Sequence, residues 1–314
     1  MKFRHSFHVF VDNFSAAYKQ LLYRLVVGVI FAGIFYAIFR PVVRELTASG
    51  FWDSVKDFLV RIINGESVGD ANDTLIAAYD KIIASLGKNT GEIATIIILA
   101  VFVHVVEEWF AALGNYATAS LINDKMALRA SSSLVLTLVR NLKSAAVYAA
   151  IYVPLSLLYN LIMGTAIFFF VFYGMFFIPF IIQIFLFVLI FVIAIVVKMT
   201  FTADWLPALI AGKKRHREAF CYTFSRRGKK TANVMSNFAV LVLLIFAINV
   251  GAALLTFGAG LLLTIPGSYI ILISFEFVNY YDREEMKYFV DKNTIIKPEK
   301  EYTPSREEFF KGEN

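Results

Sequence analysis

The chain is poor in the side chains from which disulfides, metal centres and polar catalytic clusters are made. It has one cysteine and four histidines in 314 residues. Cys221 alone cannot close an intrachain disulfide or build a CxxC metal site. Arg226 and Arg227 nearby would favour a reactive thiolate, while the lack of any partner motif favours an inert side chain. Charged residues make up only 17%, against about 25% in soluble domains, too few for the polar skin that a soluble fold needs. The P-loop, the Gly-rich dinucleotide turn and the serine nucleophile elbow are all missing. These absences exclude a soluble enzyme, a secreted disulfide scaffold and a DNA-binding domain.

What the chain has is grease. Apolar residues reach 59%, with Phe at 32 positions, and they come in runs long enough to cross a bilayer. Hydropathy places six spans near 21–41, 93–113, 144–163, 166–197, 236–256 and 261–281. The block Ile167–Val197 holds Gln183 as its one strongly polar side chain. A helix over 166–197 would be about 48 Å long, beyond a ~30 Å hydrocarbon core. It could tilt, kink at Pro179, or divide into two half-spans around Gly174–Pro179. The run Leu21–Phe39 is followed by Arg40-Pro41 and no A-x-A cleavage site, and so reads as a retained first span.

Charge sets the expected orientation. Residues 1–24 carry Lys2, Arg4, Lys19 and Arg24 against Asp12, and residues 114–143 carry Lys125, Arg129, Arg140 and Lys143 against Asp124, each a net +3. Residues 198–235 reach +7, whereas 44–92 is −3. Six spans put the three positive segments on one side, which the positive-inside rule makes cytoplasmic, with both termini. The tail 282–314, with seven basic and nine acidic residues, does not set orientation.

Three stretches share a plan of an amphipathic segment leading into a span: Ser6–Ala17, Leu134–Ala145 and Phe220–Thr231. Aligning Phe10, Leu138 and Phe224 sets Asn13 opposite Asn141. Their apolar spacing is that of helices lying along an interface. The second span of each unit closes on a polar–aromatic pair, Asn115-Tyr116, Asp204-Trp205 and Asn279-Tyr280, as suits the headgroup level. The expected fold is an all-α integral membrane protein of six transmembrane helices. They form three hairpins, each preceded by a cytoplasmic interfacial amphipathic helix, in a pseudo-threefold repeat. The units are 1–126 (with external segment 44–92), 127–212 and 213–281, followed by the tail 282–314.

The F-x3-F segment Phe220/Phe224 ahead of paired spans, and the closing Asn279-Tyr-Tyr-Asp282, resemble multi-pass bacterial proteins of the glycerophosphoryl diester phosphodiesterase membrane-domain family and related polytopic families. The resemblance covers most of 1–285. It implies a bacterial plasma-membrane protein. It does not extend to the soluble phosphodiesterase domain fused to some members, because no stretch here is long and polar enough to form it.

His104, Glu107 and Glu108 form a candidate polar membrane cluster, since residues three and four apart share a helix face. A proton relay or half a metal site is the sharp reading, and a helix leaving the membrane the plain one. The Glu-Glu pair does not fit a CAAX-type protease: position 112 is Ala, and His5, His8 and His216 lie outside the spans. Glu276 is a fourth candidate, facing a basic neighbour or acting as a buried coupling residue. Pro154, Pro179 and Pro266 fall in or at spans. Lys213, Lys214, Arg215, Arg217, Arg226, Arg227, Lys229 and Lys230 are candidate contacts for anionic lipid of the inner leaflet, at about 1 kcal/mol per basic residue. With no nucleic-acid fold around them, RNA is not an expected partner. In 44–92, the amphipathic runs Phe51–Ile63 and Leu75–Leu86 read as surface or capping elements.

The expectation is a non-enzymatic, lipid-interacting or scaffold protein with membrane-protein partners, and without catalytic residues, cofactor or metal. A secondary transporter or flippase is the rival reading, and an intramembrane enzyme a third.

Overall fold

The computed structural model describes residues 2–48, 50–64, 76, 79, 80, 83, 90–174, 180–224, 229–291 and 294–297. Its helices are α1 (Lys2–Asp12), α2 (Phe14–Ala48), α3 (Phe51–Ile63), α4 (Thr90–Leu128), α5 (Leu134–Arg140), α6 (Leu142–Gly174), α7 (Phe180–Thr202), α8 (Trp205–Ile210), α9 (His216–Thr223), α10 (Lys229–Leu255) and α11 (Leu261–Arg283). A two-stranded antiparallel sheet, β1 (Tyr288–Phe289) with β2 (Ile295–Ile296), pairs Tyr288 with Ile296. Six helices, α2, α4, α6, α7, α10 and α11, are long and apolar enough to cross a membrane. The chain is therefore a helical, multi-pass membrane protein. Most of the run 75–86 lies outside the described residues, as do Pro179, Arg226 and Arg227.

The chain divides into two compact units, residues 25–108 and residues 1–24 with 109–314. The first comprises the later part of α2, α3 and the early part of α4. The helix α3 begins after Gly50, whose φ of +71° is a left-handed turn, and Asp53 in its first turn suits the helix dipole.

In the second unit α11 is the central helix. Half of its apolar window is buried, against at most 22% for any other span. Phe275 of α11 is fully buried with Phe238 and Leu241 of α10 and Val192 and Val196 of α7. Polar side chains inside these apolar helices find each other, because lipid offers no hydrogen bonds. Asn249 of α10 donates to Ser268 Oγ (3.0 Å) and accepts from Thr264 Oγ1 (2.7 Å), both on α11. Tyr159 of α6 donates to the Ala194 carbonyl of α7 at 2.7 Å. Phe257 and Gly258, at φ +51° and +90°, turn the chain between α10 and α11.

A short helix precedes each of the first, third and fifth spans: α1, α5 and α9. Asn13 separates α1 from α2 and Asn141 separates α5 from α6. Each asparagine amide donates to the carbonyl four residues back, Val9 at 2.8 Å and Thr137 at 3.1 Å. Such back-bonding competes with the helical ladder and bends it. Ser133 caps α5 by accepting from the Leu136 amide at 3.1 Å.

The structure corrects three expectations. The third helix does not stop near 163: α6 runs unbroken through Gly164 to Gly174, and α7 starts at Phe180. One glycine costs a helix about 1 kcal/mol, less than breaking backbone hydrogen bonds in apolar surroundings. Second, α1 is not a helix resting only on a lipid interface. Ser6, Val9, Asn13, Ala16, Ala17 and Gln20 form a buried stripe running from α1 into α2, and Phe3 stacks on Phe275 of α11 with centroids 5.2 Å apart. Its aromatic ladder Phe7–Phe10–Phe14–Tyr18 lies on another face, with Phe7 and Tyr18 exposed. Third, Tyr116, Trp205 and Tyr280 are not headgroup-belt residues, being 5%, 2% and 0% exposed, and α4 continues past Tyr116 to Leu128. Their rings pack in the protein core, where the large area of an aromatic stabilises most.

Gly114 of α4 lies under the ring of Tyr23. A Cβ there would run into the Tyr23 ring at Cε1, while the Tyr23 hydroxyl bonds the Phe110 carbonyl at 2.7 Å. Gly114→Val should destabilise by about 1–3 kcal/mol through overpacking, seen as a lower melting temperature in detergent. An unchanged melting temperature would mean that this close approach is absent.

Candidate functional site

Two neighbouring features of the larger unit bring polar side chains together. The first is a polar cluster among four helices. Arg24 of α2 donates to Asn115 Oδ1 of α4 at 2.7 Å, Gln20 reaches the same oxygen at 3.2 Å, and Thr118 donates to Gln20 Oε1 at 2.6 Å. Arg24 also bonds the Tyr269 side chain of α11. Glu276 of α11 is an electrostatic neighbour of Tyr148 and Tyr269. Of the sequence candidates, Glu276 is thus placed among tyrosines, with Arg24 one residue further along the network. Tyr148 stacks on Tyr152 at 5.2 Å and meets Trp205 edge-on at 5.4 Å.

Tyr152 and Trp205 lead directly to the second feature, a half-open cavity of about 180 Å³ between α6, α7, α8 and α9. Its walls are chiefly aromatic. Phe220 packs on Trp205 (5.0 Å) and Phe224 on Phe201 (6.0 Å), so the two phenylalanines of the F-x3-F segment close one side. Ser156 and Asn160, four apart on α6, face Lys198 of α7, whose ammonium donates to Ser156 Oγ at 2.7 Å and Asn160 Oδ1 at 3.0 Å. Sequence reasoning passed over this trio. Two polar residues four apart within an apolar run were a usable signal, but Lys198 joins them only through helix pairing.

Around this region lies a set of ion pairs and stacked cations. Asp204, 1% exposed as a residue, accepts from Arg283 at 2.8 Å. Lys214 and Arg283 both stand over the Tyr222 ring, at 3.3 and 4.2 Å from its centroid, and the Tyr222 hydroxyl bonds Glu284. Burial and Glu284 together push the Tyr222 phenol up. Lys214, a lipid-contact candidate, is thereby engaged by protein groups, while Lys213, Arg215 and Arg217 are exposed. The side chains of Lys229 and Lys230 fall outside the described residues. Asp12 pairs with Lys125 (3.3 Å) and Arg129 (2.7 Å), and Asp124 with Arg140 (2.5 Å).

The candidates of the smaller unit come together only locally. His104 Nδ1 lies 3.5 Å from Glu107 Oε2, with half of the His104 side chain exposed. Among the described residues no group of three His, Cys, Asp or Glu could hold a metal. Glu107 sits about 26 Å along α4 from Thr90 at 1.5 Å per residue, near the ~30 Å hydrocarbon thickness. Cys221 is an exposed free thiol.

No protein family, curated protein or solved structure matches the chain.

Two histidines give the larger unit a pH dependence. His5 Nδ1 lies 3.1 Å from the Tyr288 hydroxyl, which donates its proton to Asp282 at 2.8 Å, so His5 must be the donor. Burial, added to by the N-terminus, Arg4 and His8 and opposed by Asp282, holds His5 below its ordinary 6.5. Burial alone does the same to His216, whose Nδ1 is enclosed without a hydrogen bond. Lowered folded values mean that the unfolded chain binds protons first, so stability present above pH 6.5 is lost on acidification below it. The melting temperature in detergent should fall between neutral and mildly acidic pH, and fall less in His216→Gln. An equal fall in that variant would remove His216 from the account.

Proposed function

We propose that the protein is a non-enzymatic, multi-pass protein of a bacterial plasma membrane that binds lipid at the end of its helices bearing the basic connections, with both termini in the cytoplasm. The observation that carries this reading is the aromatic cavity at the end of α7, where an apolar run gives way to Lys198. Its mostly aromatic lining suits an apolar chain. The exposed cations Lys213, Arg215 and Arg217 nearby suit an anionic leaflet.

Three units, 1–126, 127–212 and 213–281, remain the organisation we favour. The short helices α1, α5 and α9 ahead of alternate spans support it, as does the matched behaviour of Asn13 and Asn141. Kinship with the glycerophosphoryl diester phosphodiesterase membrane-domain family is part of the same proposal and rests on Phe220, Phe224 and Asn279–Asp282. Phe220 and Phe224 lining the cavity would give that segment a role.

A secondary transporter or flippase is the second reading. The polar cluster of Arg24, Tyr269 and Glu276 favours it, since ionisable groups within spans commonly mark a pathway.

Native mass spectrometry of the protein released from anionic nanodiscs tests the first reading. Retained anionic lipid should exceed its share of the bilayer and fall when Lys213, Arg215, Arg217, Arg226 and Arg227 are replaced by Glu. Retained lipid that mirrors the bilayer in both proteins would overturn it.

A further inference from the structure

Resting on the lipid reading above and narrowing it, we infer that the recess between α6, α7, α8 and α9 binds the ring of a membrane quinone, a para-quinone whose apolar tail stays outside in the bilayer. Six residues of its lining are aromatic: Tyr152, Tyr159, Phe201, Trp205, Phe220 and Phe224. An acyl chain needs only apolar walls, whereas a flat ring gains further from offset or edge-on contact with other rings. At about 180 Å³ the recess falls below the ~300–1,000 Å³ that encloses a drug-sized ligand. It therefore takes a ring and leaves a tail outside. Leu155, Phe201 and Phe224 of its wall are exposed, so the recess opens on the apolar outer surface of the helices. A tail leaving there continues along Leu158 and Ile162, exposed on the same face of α6 as Leu155.

The polar groups of the wall decide the kind of ring. Tyr159 and Thr202 donate their hydroxyl protons to the carbonyls of Ala194 (2.7 Å) and Lys198 (3.0 Å). Ser156 and Trp205 each keep a proton to offer. Ser156 Oγ accepts from Lys198 at 2.7 Å and so retains its own hydrogen. Trp205 is 2% exposed, and its indole Nε1 is enclosed with no hydrogen bond among the described residues. Tyr148, Tyr152 and Phe220 pack edge-on around that indole, and a ring face is only a weak acceptor. A buried donor with no oxygen to meet is costly, and a ligand carbonyl would relieve it. Ser156 belongs to α6 and Trp205 to α8, so the two donors come from different elements. A para-quinone carries two carbonyl oxygens on opposite edges of its ring and has no proton of its own to place. An ester lipid brings carbonyls without a ring, and a simple phenol brings a ring with a single oxygen.

The test uses the full chain in nanodiscs of phosphatidylcholine and phosphatidylglycerol that carry a para-benzoquinone with a decyl tail, read by native mass spectrometry after detergent release. Wild type should keep one quinone per chain. Trp205→Phe keeps a ring but removes its donor, and Ser156→Ala removes the other donor. Each should lower retention about two- to tenfold, the loss of one hydrogen bond, and Ser156→Thr should keep it. Leu155→Trp, at the opening, should abolish it. With Trp52→Phe and Trp109→Phe, Trp205 is the only indole left, and quinone should quench its fluorescence to saturation. Size-exclusion profiles identify variants that have not folded, and Ser156→Ala, at a half-buried position, keeps the test informative if Trp205→Phe is one of them. Retention unchanged in Trp205→Phe, Ser156→Ala and Leu155→Trp, or quenching that rises linearly without saturating, means partition into the bilayer and overturns the site. Enriched phosphatidylglycerol with no retained quinone overturns this inference and leaves the lipid reading standing. Neither retained overturns both.

Discussion

Acyl chains neither donate nor accept hydrogen bonds, so a polar group in an apolar helix is stabilised by a partner within the protein. That constraint organises this chain. Asn249 is met by Ser268 and Thr264, Tyr159 by a carbonyl of the next helix, and Thr118 by Gln20. Each such pair joins two helices at one register. These directional bonds add to side-chain packing in fixing that register. The apolar residues then divide into two roles. Those around α11 fill a core, while Leu254, Leu255, Phe257 and Leu262 remain outside it.

The concentration of ion pairs and stacked cations at the helix ends follows from the same physics. Asp204 is almost fully enclosed, and a buried carboxylate deprived of its partner costs several kcal/mol, so Arg283 is held to it and against Tyr222. The sheet after α11 is tied down by Tyr288, 1% exposed, through Asp282 and His5. The N-terminal helix and the end of the chain's last span are therefore joined by one hydrogen-bond chain. Beside this charged region lies the recess lined by Phe220 and Phe224.

The six spans were legible in the sequence because a bilayer's thickness demands long apolar runs and nothing else in the chain mimics them. The short helices were legible only in part: the segment Leu134–Ala145 holds α5, whereas α1 begins at Lys2, before Ser6, and α9 covers His216–Thr223, not Phe220–Thr231. What burial would do to each face was not legible. Phe10 and Val9 are both apolar, yet Val9 is enclosed and Phe7, four residues from Val11, lies in the open. A polar residue followed by Tyr or Trp reads as a headgroup anchor by composition; Trp205 and Tyr280 became core side chains because helix ends converge on them. Hydropathy placed the end of the third span near 163, and the helix continues through Gly164 to Gly174. Glu276 could be singled out from sequence as an ion in a span, whereas the contacts of Lys198 with Ser156 and Asn160 depend on how two helices pair. His104 and Glu107 pair as their spacing suggested, and no third ligand joins them among the described residues.

The account stands on the basic connections and the segment 44–92 lying on opposite sides of the bilayer. Cys221, exposed and the sole cysteine, is a native reporter for one side, and Asp57→Cys in a Cys221→Ser background reports the other. Labelling with a membrane-impermeant maleimide in sealed vesicles of known orientation compares them directly. Cys221 should react only from the cytoplasmic face and Cys introduced at 57 only from the outer face. Reaction of both from one face would contradict the threading.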